Sequence, residues 1–124
     1  MAAFAEAKFD RTPLSTVEPL TLWRPALYHR AVIQSFRSKE TERIWQGIPS
    51  KKLPADIQRT ALRKLIALNQ AEKLSDLRVP PANRLEALKG SRAGWHSIRV
   101  NDQWRICFLW KDGDAQEVEI IDYH

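Results

Sequence analysis

Hydrophobic and polar positions sort this chain into an aperiodic head, a helical middle and a strand-rich tail. Over residues 1–31 the apolar positions keep no period, and Pro13, Pro19 and Pro25 fall among them. This stretch reads as an extension with little structure of its own, save a turn of helix near Ala2–Ala7. Val32-Ile33-Gln34-Ser35-Phe36 alternates loosely and predicts a first strand. Ser38 suits an N-cap, with Glu40 and Glu42 in the first turn where the helix dipole favours acids, and that short helix should run to about Trp45 before Gly47 and Pro49 stop it. The clearest element comes next. Pro54 suits a first helical position and Asp56 the first turn; Ile57, Ala61, Leu62, Leu65, Ile66, Leu68 and Asn69 then recur at helical spacing, with Arg59, Arg63 and Lys64 largely on the other face. The connector beyond it ends in Pro80-Pro81, which forbids a helix there.

The tail predicts strands at Arg84–Leu88, Trp95–Val100, Trp104–Lys111 and Glu117–Tyr123. Asp112-Gly113 between the last two is a strong hairpin signal. The expected fold class is α+β, a small antiparallel-rich sheet with two N-terminal helices packed on one face and the other face free for function. Within Trp104–Lys111, alternation puts Arg105, Cys107 and Leu109 on one face and Trp104, Ile106 and Phe108 on the other.

Composition narrows the function classes. A length of 124 residues allows one core, and a hydrophobic fraction of 44% argues for a packed domain against a disordered tail. The net charge of +5 favours polyanionic partners. Trp95, Arg99, Trp104, Arg105, Trp110 and Lys111 interleave aromatic and basic side chains, a pattern that fits nucleic acid better than a membrane. No apolar run reaches the roughly 18 residues of a spanning helix, the start is unlike a secretory signal, and the lone Cys107 has no intrachain disulfide partner, so a cytoplasmic location is expected. Cys107 has no Cys or His at ligand spacing, and Gly90 with Gly94 makes no phosphate-loop fingerprint, so neither a metal nor a cofactor is expected.

The candidate chemistry gathers near the end of the chain. A guanidinium in mid-strand, Arg105, needs a partner or an open groove; the plainest partner would be Glu117 or Glu119 across the strand. Lys89 precedes Gly90 at a strand end, where ammonium and backbone can both reach a phosphate. Asp122-Tyr123-His124 follows the apolar run Val118–Ile121, which should anchor the end as a strand. An imidazole and a phenol there can stack on bases or move protons. His96, beside Trp95, reads as a packing or hydrogen-bonding histidine, and His29 takes no role.

Three blocks of the sequence have a familiar order and spacing. Val32–Phe36, Arg84-Leu85-Glu86-Ala87-Leu88-Lys89-Gly90 and Trp95–Ile106, together with the ending Val118–His124, resemble the HigB toxins of the RelE/ParE superfamily of bacterial toxin–antitoxin systems. The resemblance spans Val32 to His124. It implies a ribosome-dependent endoribonuclease that cuts messenger RNA without a metal, the 2′-hydroxyl attacking the adjacent phosphate to leave a 2′,3′-cyclic phosphate. Carried over by position, Arg105 and Lys89 would stabilise the phosphate, and Asp122, Tyr123 and His124 would form the terminal catalytic and base-stacking group. One form of the family has a histidine three residues before the lysine. Here Glu86 stands there, a weaker base than imidazole but a candidate for the same task.

The resemblance also implies partners: a helix-turn-helix antitoxin of the HigA kind, the 70S ribosome with its mRNA, and operator DNA only through the antitoxin. Family members begin with methionine where this chain has Val32, and a GTG codon reads as valine internally but as methionine at a start. Residues 1–31 are therefore expected to be upstream sequence mistakenly included, with the toxin domain at 32–124; N-terminal sequencing of protein from its own locus reads this directly. Two other functions are open on this fold, a non-enzymatic inhibitor of DNA gyrase and an inactive RNA-binding module.

Overall fold

The structure is a computed structural model that describes residues 31–123. Expectations for residues 1–30 and for His124 lie outside the described residues. The elements are α1 (Lys39–Trp45), α2 (Ala55–Gln70), β1 (Glu86–Ala87), β2 (Trp95–Arg99), β3 (Trp104–Lys111) and β4 (Asp114–Asp122). Short 3-10 turns at Leu74–Arg78, Pro81–Asn83 and Gly90–Arg92 fill the connections. The expected α+β class holds: the strands form one antiparallel sheet in the order β1-β2-β3-β4. No helix among the described residues is long and apolar enough to cross a membrane.

Helix α1 begins where its cap predicts. Ser38 Oγ accepts the Thr41 amide, and Glu40 and Glu42 lie in the first turn. Helix α2 starts one residue later than expected, with Pro54 at the cap position and Asp56 in the first turn. Its Ile57, Ala61, Leu65 and Leu68 are buried against Ile98, Ile106, Phe108, Val118 and Ile120 of the sheet. Ile66, counted with that apolar stripe, is exposed instead. Lys64 leaves the basic face and turns inward to donate to Asn83 Oδ1. Burial, with Arg63 and Arg99 nearby, pulls its ammonium below the usual lysine range.

Two expectations need correction. Val32–Phe36 is not a strand: it touches β4 through isolated parallel bridges, Ile33 to Ala115 and Phe36 to Val118. Between them the Glu117 amide donates to Ser35 Oγ, so a side chain takes the place of a ladder carbonyl. Pro80-Pro81 does not exclude helical turn structure either. The Val79–Pro80 peptide is cis and Pro81 opens a 3-10 turn, whose first residue needs no amide donor.

Strand β4 carries a further irregularity. Cys107 pairs with Glu119, but Leu109 pairs with Gln116, so one extra β4 residue is accommodated opposite Phe108. Glu117 sits there at φ 53°. Because strand faces alternate residue by residue, this single insertion exchanges the faces of everything after it. Val118 and Ile120 enter the core, and Glu119, Ile121 and Tyr123 fall on the face away from the helices.

Candidate active site

Hairpin register brings the candidate side chains together on that open face. Arg105 pairs with Arg99 on one side and with Ile121 on the other. Glu86 of β1 pairs with Ser97 of β2 and shares the face. The turn from β2 to β3 is fastened by Asn101, whose Oδ1 accepts the amides of Gln103 and Trp104. Gln103 then holds the chain end: its carbonyl accepts the Tyr123 amide at 2.7 Å, and its Nε2 donates to Asp122 Oδ2 at 2.9 Å. The end is thus docked as a strand through Asp122, as the apolar run Val118–Ile121 led one to expect.

A groove of about 340 Å³ results, lined by Arg84, Glu86, Arg99, Asn101, Asp102, Arg105 and Tyr123. Arg105 forms its floor and is only 6% exposed. Its Nε donates to Ser97 Oγ at 2.8 Å, and one terminal nitrogen donates to the carbonyls of Arg84 and Ser97. Arg84 offers its carbonyl from a left-handed backbone, φ 44°, at the end of the Pro81–Asn83 turn. That turn is fixed by the fully buried Asn83, whose amide nitrogen donates to the carbonyls of Leu77 and Val79. These contacts fix the plane of the guanidinium, which lines the groove and is the cation placed there for an anion. The Tyr123 ring lies 5.4 Å from the guanidinium carbon and is 45% exposed, which leaves it accessible for stacking.

The plain cross-strand ion pair does not form. Among the described residues the carboxylate paired with Arg105 is Glu86, at 3.8 Å, with its side chain 52% exposed. Glu117 accepts from Ser35 Oγ instead, and Glu119 faces Arg37 at 4.0 Å. Arg99 is paired with Asp102 at the rim.

The six residues expected to act together are therefore divided. Arg105, Tyr123 and Glu86 line one groove. Asp122 lies on the other face of β4, bonded to Gln103, because neighbouring strand residues cannot share a face. Lys89 is exposed and outside the groove, since β1 lasts two residues and the chain turns away at Gly90, φ 70°. His124 lies outside the described residues. Sequence reasoning gave no role to Arg84, Asn101 or Asp102. Arg99 was visible as part of the basic–aromatic pattern, and the short Asn101–Gln103 turn, which sets it opposite Arg105, was the signal that could have placed it here.

Cys107 is buried as expected, and burial pushes its thiol above 9.0, the ordinary value, against the pull of Arg92 and Arg105. It stays a thiol at neutral pH. His96 stacks on Phe108 with ring centroids 6.3 Å apart, in keeping with a packing role; its buried Nδ1 has no partner among the described residues. No group of three or more His, Cys, Asp or Glu residues suited to a metal ion occurs among the described residues.

Residues 34–124 match the family model of the HigB-like toxins, described as RelE-like toxins of type II toxin–antitoxin systems. A toxin HigB-1 of Vibrio cholerae is 44% identical over 81 residues, which cover 64% of this chain and 85% of that one. An endoribonuclease HigB of Proteus vulgaris is 34% identical over 94 residues, covering 75% of this chain and all of its own length. Among solved structures, YafQ of Escherichia coli aligns over 76% of this chain and 94% of its own, with a TM-score of 0.48 and 14% identity.

Proposed function

The chain belongs to the HigB-like toxins, RelE-like toxins of type II toxin–antitoxin systems, and we propose that it is an endoribonuclease that cleaves messenger RNA on the ribosome, with Arg105 at the reacting phosphate. Membership implies an antitoxin as partner, and a helix-turn-helix antitoxin of the HigA kind is part of the proposal. The observation that carries the reading is a buried guanidinium held on three acceptor contacts at the floor of a groove that it shares with an aromatic ring. Named relatives support it: one bears the name toxin, another endoribonuclease.

In the proposed reaction the RNA 2′-oxygen bonds to the adjacent phosphorus as the bond to the 5′-oxygen breaks. The 2′-hydroxyl proton goes to a base, and the leaving 5′-oxygen takes a proton from an acid. Charge grows on the non-bridging oxygens, which is where a preorganised guanidinium is worth most. Glu86 accepts the first proton; it lines the groove, and the other carboxylate there, Asp102, is paired with Arg99. Tyr123 stacks on a base, and His124, the next residue, supplies an imidazole for the second transfer. Asp122 acts indirectly, holding Gln103 and so the chain end.

Primer extension on a defined mRNA, with the full chain and with or without translating ribosomes, tests this. Cuts are expected only with ribosomes, in register with the codon being read, and Arg105→Ala should abolish them. Intact mRNA in both lanes, from protein that still arrests growth, overturns the reading.

A further inference from the structure

The open face carries a second basic cluster at the end of the sheet remote from Arg105. Trp95 lies four residues along β2 from Arg99, the partner of Arg105, a distance of about 13 Å at strand rise. That is too far for one phosphodiester to touch both places. The Arg92 guanidinium carbon is 5.1 Å from the Trp95 ring centroid, and that of Arg37 is 5.8 Å from it. Arg37 comes from the segment outside β4 and Arg92 from the turn after β1, so two separate parts of the chain converge on the indole of β2. Cys107 lies between the two clusters and feels both Arg92 and Arg105.

We propose that Arg37 and Arg92, braced on Trp95, form a second phosphate-binding site for the same single-stranded messenger RNA that the Arg105 groove cleaves. A guanidinium stacked on an indole keeps its in-plane N–H donors for an anion and loses little freedom on binding one. The Arg37 side chain is 49% exposed, so solvent and ligand can reach it. Glu119 is the counterweight: its carboxylate stands 4.0 Å from Arg37 and opposes an incoming phosphate. The site binds a flanking part of the strand and adds length dependence to recognition. The inference rests on the RNA-cleaving reading.

The test is binding of the full chain to 2′-O-methyl oligonucleotides, which lack the attacking hydroxyl, in a short and a long form, across a salt series. Lengthening should tighten binding to the wild-type protein, and Arg37→Ala with Arg92→Ala should remove that gain. The log–log salt slope for the long form should fall by about 1.4, two contacts to a single strand. Glu119→Gln should tighten binding of the long form roughly twofold to fivefold, a gain that a folding defect does not produce. Unaltered affinity and slope in the double variant, while the wild type still cuts mRNA, overturn this site and leave the cleavage reading standing. So does a loss seen only with vacant ribosomes, which assigns the contact to ribosomal RNA.

Discussion

Ser97, Arg84 and Glu86 act on Arg105 in different ways. Ser97 and the Arg84 carbonyl fix its plane through hydrogen bonds, whereas Glu86, at 3.8 Å, supplies opposite charge without a short contact. A lysine at this place offers a point charge and no planar fork, and it cannot reach the Ser97 hydroxyl and the Arg84 carbonyl in the same geometry. Arg105→Lys is therefore expected to lower the rate of mRNA cleavage by roughly 100-fold or more. It should also cost about 1–3 kcal/mol of stability through the acceptors it leaves unpaired. Single-turnover cleavage and denaturant melts, measured together, check both parts. A variant that cuts at the wild-type rate would remove Arg105 from the chemistry. At this scale the sequence marked Arg105, Tyr123 and Glu86 as candidates, but it offered Glu117 or Glu119 as the ion-pair partner. Those two fail because Glu117 is the extra residue of β4 and Glu119 faces Arg37, and neither fact is local to Arg105.

Between elements, one hydroxyl links the first helix to the strand that ends at the site. Thr41, in the first turn of α1, is fully buried; its Oγ1 accepts the Ile120 amide at 2.9 Å and meets the Ser38 hydroxyl at the same distance. Thr41→Val keeps the shape and removes the acceptor, leaving a buried amide unsatisfied. It should destabilise the protein by about 1–3 kcal/mol, seen as a lower denaturant midpoint at constant slope. An unchanged midpoint would mean that the amide finds another partner. The boundaries of α1, α2 and β3 were legible because caps, helical spacing and the Asp112-Gly113 turn are local signals. The start of β4 at Asp114, three residues before the expected Glu117, was not, since the interruption at Glu117 masks one continuous strand.

For the whole molecule, Cys107 links folding to pH. Its thiol pKa is raised in the folded state, so well below the ordinary thiol range the thiol is protonated in both states and its contribution to stability is fully present. As pH rises through the ordinary thiol range the unfolded chain ionises first, and stability is lost as pH rises toward the folded value. Melting temperatures across alkaline pH should fall more steeply for the wild type than for Cys107→Ala; parallel curves would show that the thiol is not coupled to folding. The lowered lysine range of Lys64 works in the opposite sense, and comparing the two proteins cancels it.

By itself the sequence determined the α+β class, both helices, the hairpin and the candidates on the terminal strands, because periodicity, caps and turn chemistry act over a few residues. The tertiary structure alone decided which candidates meet. One extra residue at Glu117 turns Tyr123 toward the groove and Asp122 away, the brevity of β1 leaves Lys89 outside, and the Asn83 turn delivers the Arg84 carbonyl to Arg105. Each of these depends on register between segments far apart in the chain, and register is set by the packing of one whole face against the helices.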